Sequence, residues 1–268
     1  MSTDLGQPRG VLHPELAVGE FKHERRPPSP ALAGLVEHYW YVSWDLRNLP
    51  AQQQETLPHP NVHYVVEPGL TAIYGVHTGR YVRMLEGRSH AFGIKFKAGA
   101  FHPFYGKPVS GLMDRSLQAQ DIFGTDADTF ERQVLLHDDV GAMVHAAEHL
   151  LLSNLPKDDP EVARISELVA NIAADRSITS VETLAAQCGL TKRSLQRFFN
   201  QYVGVSPKWV INRYRLHEAI AQVQAGSSVA WTELALQLGY FDHAHFIRDF
   251  RKLIGRSPAD YAKTLRKP

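Results

Sequence analysis

Two short stretches of this 268-residue chain gather side chains that recognise polyanions and base edges. In one, Leu195, Phe198 and Phe199 recur at helical spacing and form an apolar stripe. They leave Lys192, Arg193, Gln196, Arg197 and Asn200 on the opposite side. In the other, Phe246 and Phe250 play that part, and His243, Ala244, Ile247, Arg248 and Arg251 face outward. Arginine can donate two parallel hydrogen bonds to guanine O6 and N7, and glutamine can pair with adenine N6 and N7. Lysine and arginine also neutralise phosphates. Ala244 and Ile247 offer only apolar contact, for example to thymine methyls, so directional readout is expected to be weaker on the second face. A single Lys or Arg reads equally well as part of a solvated helix face. Two such faces in one chain carry the nucleic-acid reading.

A second group lies in LPHPNVHYVVE (57–67). Pro58 and Pro60 argue against a helix, so His59, Asn61 and His63 should alternate onto one strand face. With Tyr74 and His77 they form a candidate ligand-binding set; His90 and His102 lie near in sequence. Strand histidines can hold a metal, yet no His-x-His pair with a later Glu and His accompanies them. No metal, cofactor or catalytic residue is therefore assigned. The single cysteine, Cys188, excludes an intrachain disulfide and a multi-cysteine zinc site, and reads as a small buried hydrophobe.

The polar faces sit in a repeated unit. SVETLAAQCGLTKRSLQRFFNQYVGVSP (180–207) and SVAWTELALQLGYFDHAHFIRDFRKLIGRSP (228–258) each read as helix, glycine turn, helix. Ala185 and Ala235 stand four residues before turn glycines Gly189 and Gly239, where two crossing helices need a small side chain. Thr191 and Asp242 suit the N-cap of the second helix. The interval from glycine to first anchor is one residue longer in the second copy, so its turn should be longer by one. Each copy ends in a helix-breaking Gly, a capping Ser and a Pro for the next first turn, in YVGVSP (202–207) and LIGRSP (253–258). Between them, residues 207–226 form a long amphipathic helix with Trp209, Val210, Tyr214, Leu216, Ile220 and Val223 on its apolar side.

The region 161–268, above all LALQLGYFDHAHFIRDFRKLIGRSPADY (234–261), resembles the DNA-binding domain of the AraC/XylS family of bacterial transcription regulators. The resemblance implies seven helices, two helix-turn-helix units and recognition helices entering successive major grooves, roughly 34 Å apart. It places Arg193, Gln196 and Arg197, with His243, Ala244 and Arg248, at base- or backbone-contacting positions. HAFGIKFKAGAFHPF (90–104) resembles part of the small cupin-like N-terminal domains of actinobacterial AraC-like regulators.

Residues 1–30 read as an extended, proline- and charge-rich segment with little to pack. Strand-like runs follow at 38–44, 62–67, 71–76, 80–85 and 90–96, suggesting a small barrel or sandwich. Helical periodicity begins near 127, with Phe130, Val134, Leu135, Val140, Met143, Val144, Ala147, Leu150 and Leu151. Those helices could pair two chains or pack on their own β-domain. The expected fold is α+β: a cupin-like sensor or dimerisation domain over 31–154, a linker at 155–160, and an all-α domain with two helix-turn-helix units over 161–268. Residues 161–268 carry 15 Lys and Arg against 9 Asp and Glu, a net of +6, while residues 1–160 carry a net of −5. Only the C-terminal part therefore suits a polyanion. No apolar run has the ~18 residues a membrane span needs, and no secretory h-region opens the chain, so a cytoplasmic protein is expected. The function expected is sequence-specific regulation at double-stranded promoter DNA. Partners to consider are a second copy, a small-molecule effector and RNA polymerase. The rivals are a cupin-type metal-dependent enzyme fused to a DNA-binding domain, and an architectural regulator with no ligand.

Overall fold

The computed structural model describes residues 11–12, 19–224 and 231–265. Most of the segment 1–30 and the start of the second repeat, 228–230, lie outside the described residues. Part of the lead-in is nevertheless structured. Glu20–Arg26 forms strand β1 along β2 (Val36–Asp45), pairing Phe21 with Trp44 and Arg25 with Trp40. Its charged residues, read as solvated lead-in, suit an exposed edge strand, while Phe21 packs against a small cluster of Trp44, Leu46 and Leu85.

The main sheet has six antiparallel strands in the order β1-β2-β7-β4-β5-β8. Here β4 is His63–Val66, β5 Ala72–Tyr74, β7 Arg88–Phe96 and β8 Ser116–Leu117. A second sheet is a two-stranded ribbon of β3 (Gln52–Thr56) and β6 (Tyr81–Leu85). The ribbon packs on the main sheet through Leu85 against Trp44, Val42 and Phe21, and helices cover the sheet elsewhere. Short helices α1 (His102–Tyr105) and α2 (Gln120–Phe123) follow β7 and β8. Then come α3 (Ala127–Leu135) and α4 (Val140–Ser153). Phe130, Val134, Met143, Ala147, Leu150 and Leu151 join one buried core with Tyr64, Phe92, Ile94 and Phe96. Tyr64 stacks on Phe130 with ring centroids 4.9 Å apart. The helical stripe thus packs on the chain's own sheet.

Among the described residues seven helices follow: α5 (Pro160–Ala174), α6 (Val181–Gln187), α7 (Lys192–Tyr202), α8 (Pro207–Gln224), α9 (Trp231–Gln237), α10 (His243–Ile254) and α11 (Pro258–Leu265). α8 joins the two helix pairs. Its Val210 and Ile211 enter the core of the first unit, around Leu184, Leu195 and Phe199. Its Leu216, Ala219, Ile220 and Val223 enter the core of the second, around Leu234, Phe246 and Phe250. Two charges on it, Arg213 and Arg215, are buried, at 1% and 2% exposure. Arg215 donates to the carbonyls of Asp175 and Ile178, each at 2.7 Å, fixing the loop between α5 and α6. Arg213 lies over the Trp209 ring at 4.3 Å and donates to the Thr78 carbonyl of the β-domain at 2.5 Å. Leu12 also packs into the second core, and the Tyr261 hydroxyl donates to its carbonyl at 2.5 Å.

Removing a buried donor strands its acceptors and leaves a cavity, so Arg215→Ala should lower unfolding free energy by about 2–5 kcal/mol. Urea denaturation followed by circular dichroism measures this. A loss below about 0.5 kcal/mol, the usual surface value, would contradict the structural role given to Arg215.

Candidate nucleic-acid interface

Each polar face is carried by a helix whose start is capped as the sequence suggested. The Thr191 hydroxyl accepts from Ser194 N at 3.1 Å, and the Asp242 carboxylate accepts from His245 N at 2.6 Å. The preceding turns need left-handed backbone, with φ of 63° at Gly189 and 78° at Gly239. In both units the residue after the glycine closes the turn on the buried alanine. Leu190 N donates to Ala185 O at 3.0 Å, and Tyr240 N donates to Ala235 O at 2.9 Å. The small side chains are buried at the helix crossing, Ala185 6% and Ala235 0% exposed.

These equivalences locate the extra residue. Leu190 corresponds to Tyr240, and Thr191 to Asp242, so Phe241 is the insertion. It is 91% exposed, immediately before the N-cap of α10. Sequence reasoning found the longer turn but did not single out Phe241. Its signal was an aromatic flanked by a core tyrosine and a capping aspartate, with no place in the apolar period.

From the caps onward the copies align residue for residue. In α7, Leu195 and Phe199 are buried, and Arg193, Gln196, Arg197 and Asn200 are exposed along one face. In α10, Phe246, Phe250 and Ile254 are buried. Ala244, Arg248 and Arg251 are exposed there, with Ile247 and His243 half-buried. Both quartets follow i, i+3, i+4, i+7 spacing, which places four side chains on one helix face. Only the Arg197 and Arg248 positions keep the same chemistry in both. Lys192, at the first helical position of α7, pairs with Glu182 of α6 at 2.6 Å, both well exposed. The Arg164 guanidinium lies over the Phe198 ring at 5.6 Å, packing α5 against α7. Cys188 caps the end of α6 and is half-buried, more open than expected, because it lies in the turn and not inside the helix.

Of the β-domain candidates, only His63 and Tyr74 are brought side by side. Of His59, Asn61 and His63 only His63 lies in a strand, where it pairs directly with Tyr74 of β5; His59 and Asn61 lie in the preceding loop, since the two prolines break the ladder, so the shared strand face is not formed. His59 stacks on His217 of α8, with ring centroids 4.1 Å apart. Asn61 donates to Phe96 O at 2.7 Å and to Glu37 at 3.1 Å. Tyr74 donates to Leu70 O at 3.1 Å, and His77 faces Asp114 at 3.2 Å. His63 Nδ1 accepts the Trp40 indole N–H at 3.3 Å. The indole reaches it by crossing Gly93 of β7, where a Cβ would lie 2.1 Å from the ring. Burial, with Lys95 and His38 nearby, brings the His63 pKa down to about 3. Burial and Lys95 bring that of His38 down to about 4. Among the described residues, no group of three or more His, Cys, Asp or Glu is placed to hold a metal ion. No described helix is long and apolar enough to cross a membrane.

Comparison with known proteins matches two separate parts of the chain. Residues 24–118, from β1 to β8, match a family described as a domain of unknown function (DUF6597). Residues 184–264, from α6 to α11, match a family described as a helix-turn-helix domain. The HTH-type transcriptional regulator YidL of Escherichia coli (strain K12) is 33% identical over 109 residues, 40% of this chain and 36% of YidL. The HTH-type transcriptional activator RhaS of Escherichia fergusonii is 31% identical over 109 residues, 40% of this chain and 39% of RhaS. The chain therefore spans under two fifths of these curated relatives. Among solved structures, a regulator from Chromobacterium violaceum with an AraC-type DNA-binding domain is 24% identical, with a TM-score of 0.35. That likeness covers 39% of this chain and 94% of the other. ToxT from Vibrio cholerae O395 is 10% identical, with a TM-score of 0.38, over 93% of this chain and 98% of the other.

Acidification should destabilise the protein through the depressed histidines. Their stabilisation is complete above pH ~6.5, the unfolded value, and is lost as pH falls because the unfolded chain takes up protons first. At pH 5.0 relative to 7.5 the loss reaches up to about 2 kcal/mol for each histidine that stays neutral when folded. His63→Gln should shrink this pH dependence by a comparable amount, read from urea midpoints at the two pH values. An unaltered pH dependence would refute the assignment.

Proposed function

We propose that this chain, whose residues 184–264 match a helix-turn-helix domain family, carries an AraC-type double helix-turn-helix domain over 161–268 and is a sequence-specific regulator acting at double-stranded promoter DNA. The observation that carries this is the pair of corresponding outward quartets, Arg193/Gln196/Arg197/Asn200 and Ala244/Ile247/Arg248/Arg251, on capped second helices, all exposed but the half-buried Ile247. Lys192 and His243 stand at the mouths of the two faces. In this reading Arg193 and Gln196 read base edges, Arg197 and Arg248 hold phosphates or guanines, and Ala244 with Ile247 meets thymine methyls. Phe241, projecting before the α10 cap, adds apolar contact at the edge of the second groove. The β-domain supplies control, through a small-molecule effector or a second copy, and RNA polymerase is a further partner of a regulator that activates. A metal-dependent enzyme is not favoured, because the β-domain histidines point to different neighbours.

The full chain should select, from a randomised library, a site with two elements centred about 10–10.5 base pairs apart. Its affinity should fall steeply with salt as counterions are released. Arg193→Ala should relax preference within one element, costing about 1–3 kcal/mol if it pairs with guanine, whereas Arg248→Ala weakens binding across sequences. Phe241→Ala should reduce selectivity only in the other element. Binding that is salt-insensitive or without selected sequence would refute the reading. A preferred sequence that survives Arg193→Ala but changes with Arg248→Ala would reverse the two roles.

A further inference from the structure

Both polar helices end at a left-handed glycine, Gly204 with φ 93° and Gly255 with φ 80°. The two glycines occupy equivalent places in the repeat, and the β-domain touches both. A Cβ on Gly204 would lie 3.0 Å from the Val109 carbonyl oxygen and from its Cγ1. A Cβ on Gly255 would lie 2.5 Å from Arg80 Nη1, and that nitrogen donates to the Ile254 carbonyl at 2.7 Å. Arg80 is itself held by the buried Glu55 at 3.2 Å. Between these points, Arg213 of α8 donates to Thr78 O at 2.5 Å, with Gly79 O at 3.4 Å.

The two grips belong to one body. Asp114 accepts from Thr78 N at 2.7 Å and from the Thr78 hydroxyl at 2.6 Å, and its own N–H donates to Val76 O at 3.0 Å. Gly75 lies so close to the turn at Val109–Leu112 that a Cβ would fall 1.9 Å from Leu112 O. The loop at 75–80 and the turn at 109–115 therefore move together. Their three contacts fall at the end of α7, on α8 and at the end of α10, the parts whose relative placement sets the distance between the two faces.

We propose that Arg80 is a positioning residue for DNA reading, fixing the second recognition helix relative to the first so that the chain discriminates half-site spacing. The proposal rests on the DNA-reading function given above. One donor aimed at an otherwise orphaned helix-end carbonyl is enough for this role.

The test uses the full chain and the duplex selected by the wild type, with the two elements moved apart by −1, 0, +1 and +2 base pairs. Duplexes carrying either element alone serve as controls. One base pair of misplacement should cost the wild type about tenfold in affinity, the scale of one lost base contact. Arg80→Ala should flatten this profile severalfold while leaving binding to each single element unchanged. Arg80→Lys, which keeps one donor, should restore it. Val109→Ala, at the other grip, should flatten the profile in the same way and provides a second variant if Arg80→Ala does not fold. A wild-type spacing profile in folded Arg80→Ala, or an equal loss on single elements, overturns the proposal. Failure of the wild type to bind any duplex overturns the DNA-reading function instead.

Discussion

The arrangement depends on one buried cation. Arg213 is taken out of water between the β-domain and the helical domain, which is costly unless the guanidinium is well partnered. It is offset by the Trp209 ring beneath it and by the carbonyl of Thr78. Arginine suits this because its flat, weakly hydrated head can stack and donate at once. The loop that supplies this carbonyl is held by Asp114, which accepts from Thr78, and α8 lies against it. Once α8 is seated, both helix pairs follow, because each has its core on one end of that helix.

The helical half is one motif used twice with a single length change. Caps, turn glycines, crossing alanines and terminal glycines all correspond, so the backbones are near copies. The outward side chains are not. The first face is rich in hydrogen-bond donors, while the second is apolar at two of its four positions and has an aromatic added ahead of it. The β-domain, by contrast, has a filled interior: Tyr64, Phe92, Phe101, Phe123 and Phe130 occupy the space between sheet and helices.

How much of this could be read in the sequence varied with how each element is stabilised. Strands β2, β4, β5, β6 and β7 were visible because branched and aromatic residues build them. β3, with the sequence QQQET, carries no apolar signal; its place comes from backbone pairing with β6. β1 was hidden by its charges. The two reading faces were visible because an amphipathic helix advertises which side is buried, and every residue expected to point outward is exposed or half-buried. The buried arginines were not visible, since nothing local distinguishes a charge facing solvent from one facing a distant carbonyl. For the same reason His59, Asn61 and His63 looked like one set, although long-range neighbours draw them apart.

Two backbones that match while their surfaces differ give the molecule a direction. Two identical heads could exchange half-sites with no loss of contact. Unlike heads remove that choice, because reversing the chain would bring a donor-rich face to a methyl-rich edge. On the proposed reading, a single copy therefore lies on DNA with a defined upstream and downstream side. The β-domain, fastened to both heads, always projects toward the same flank of the promoter.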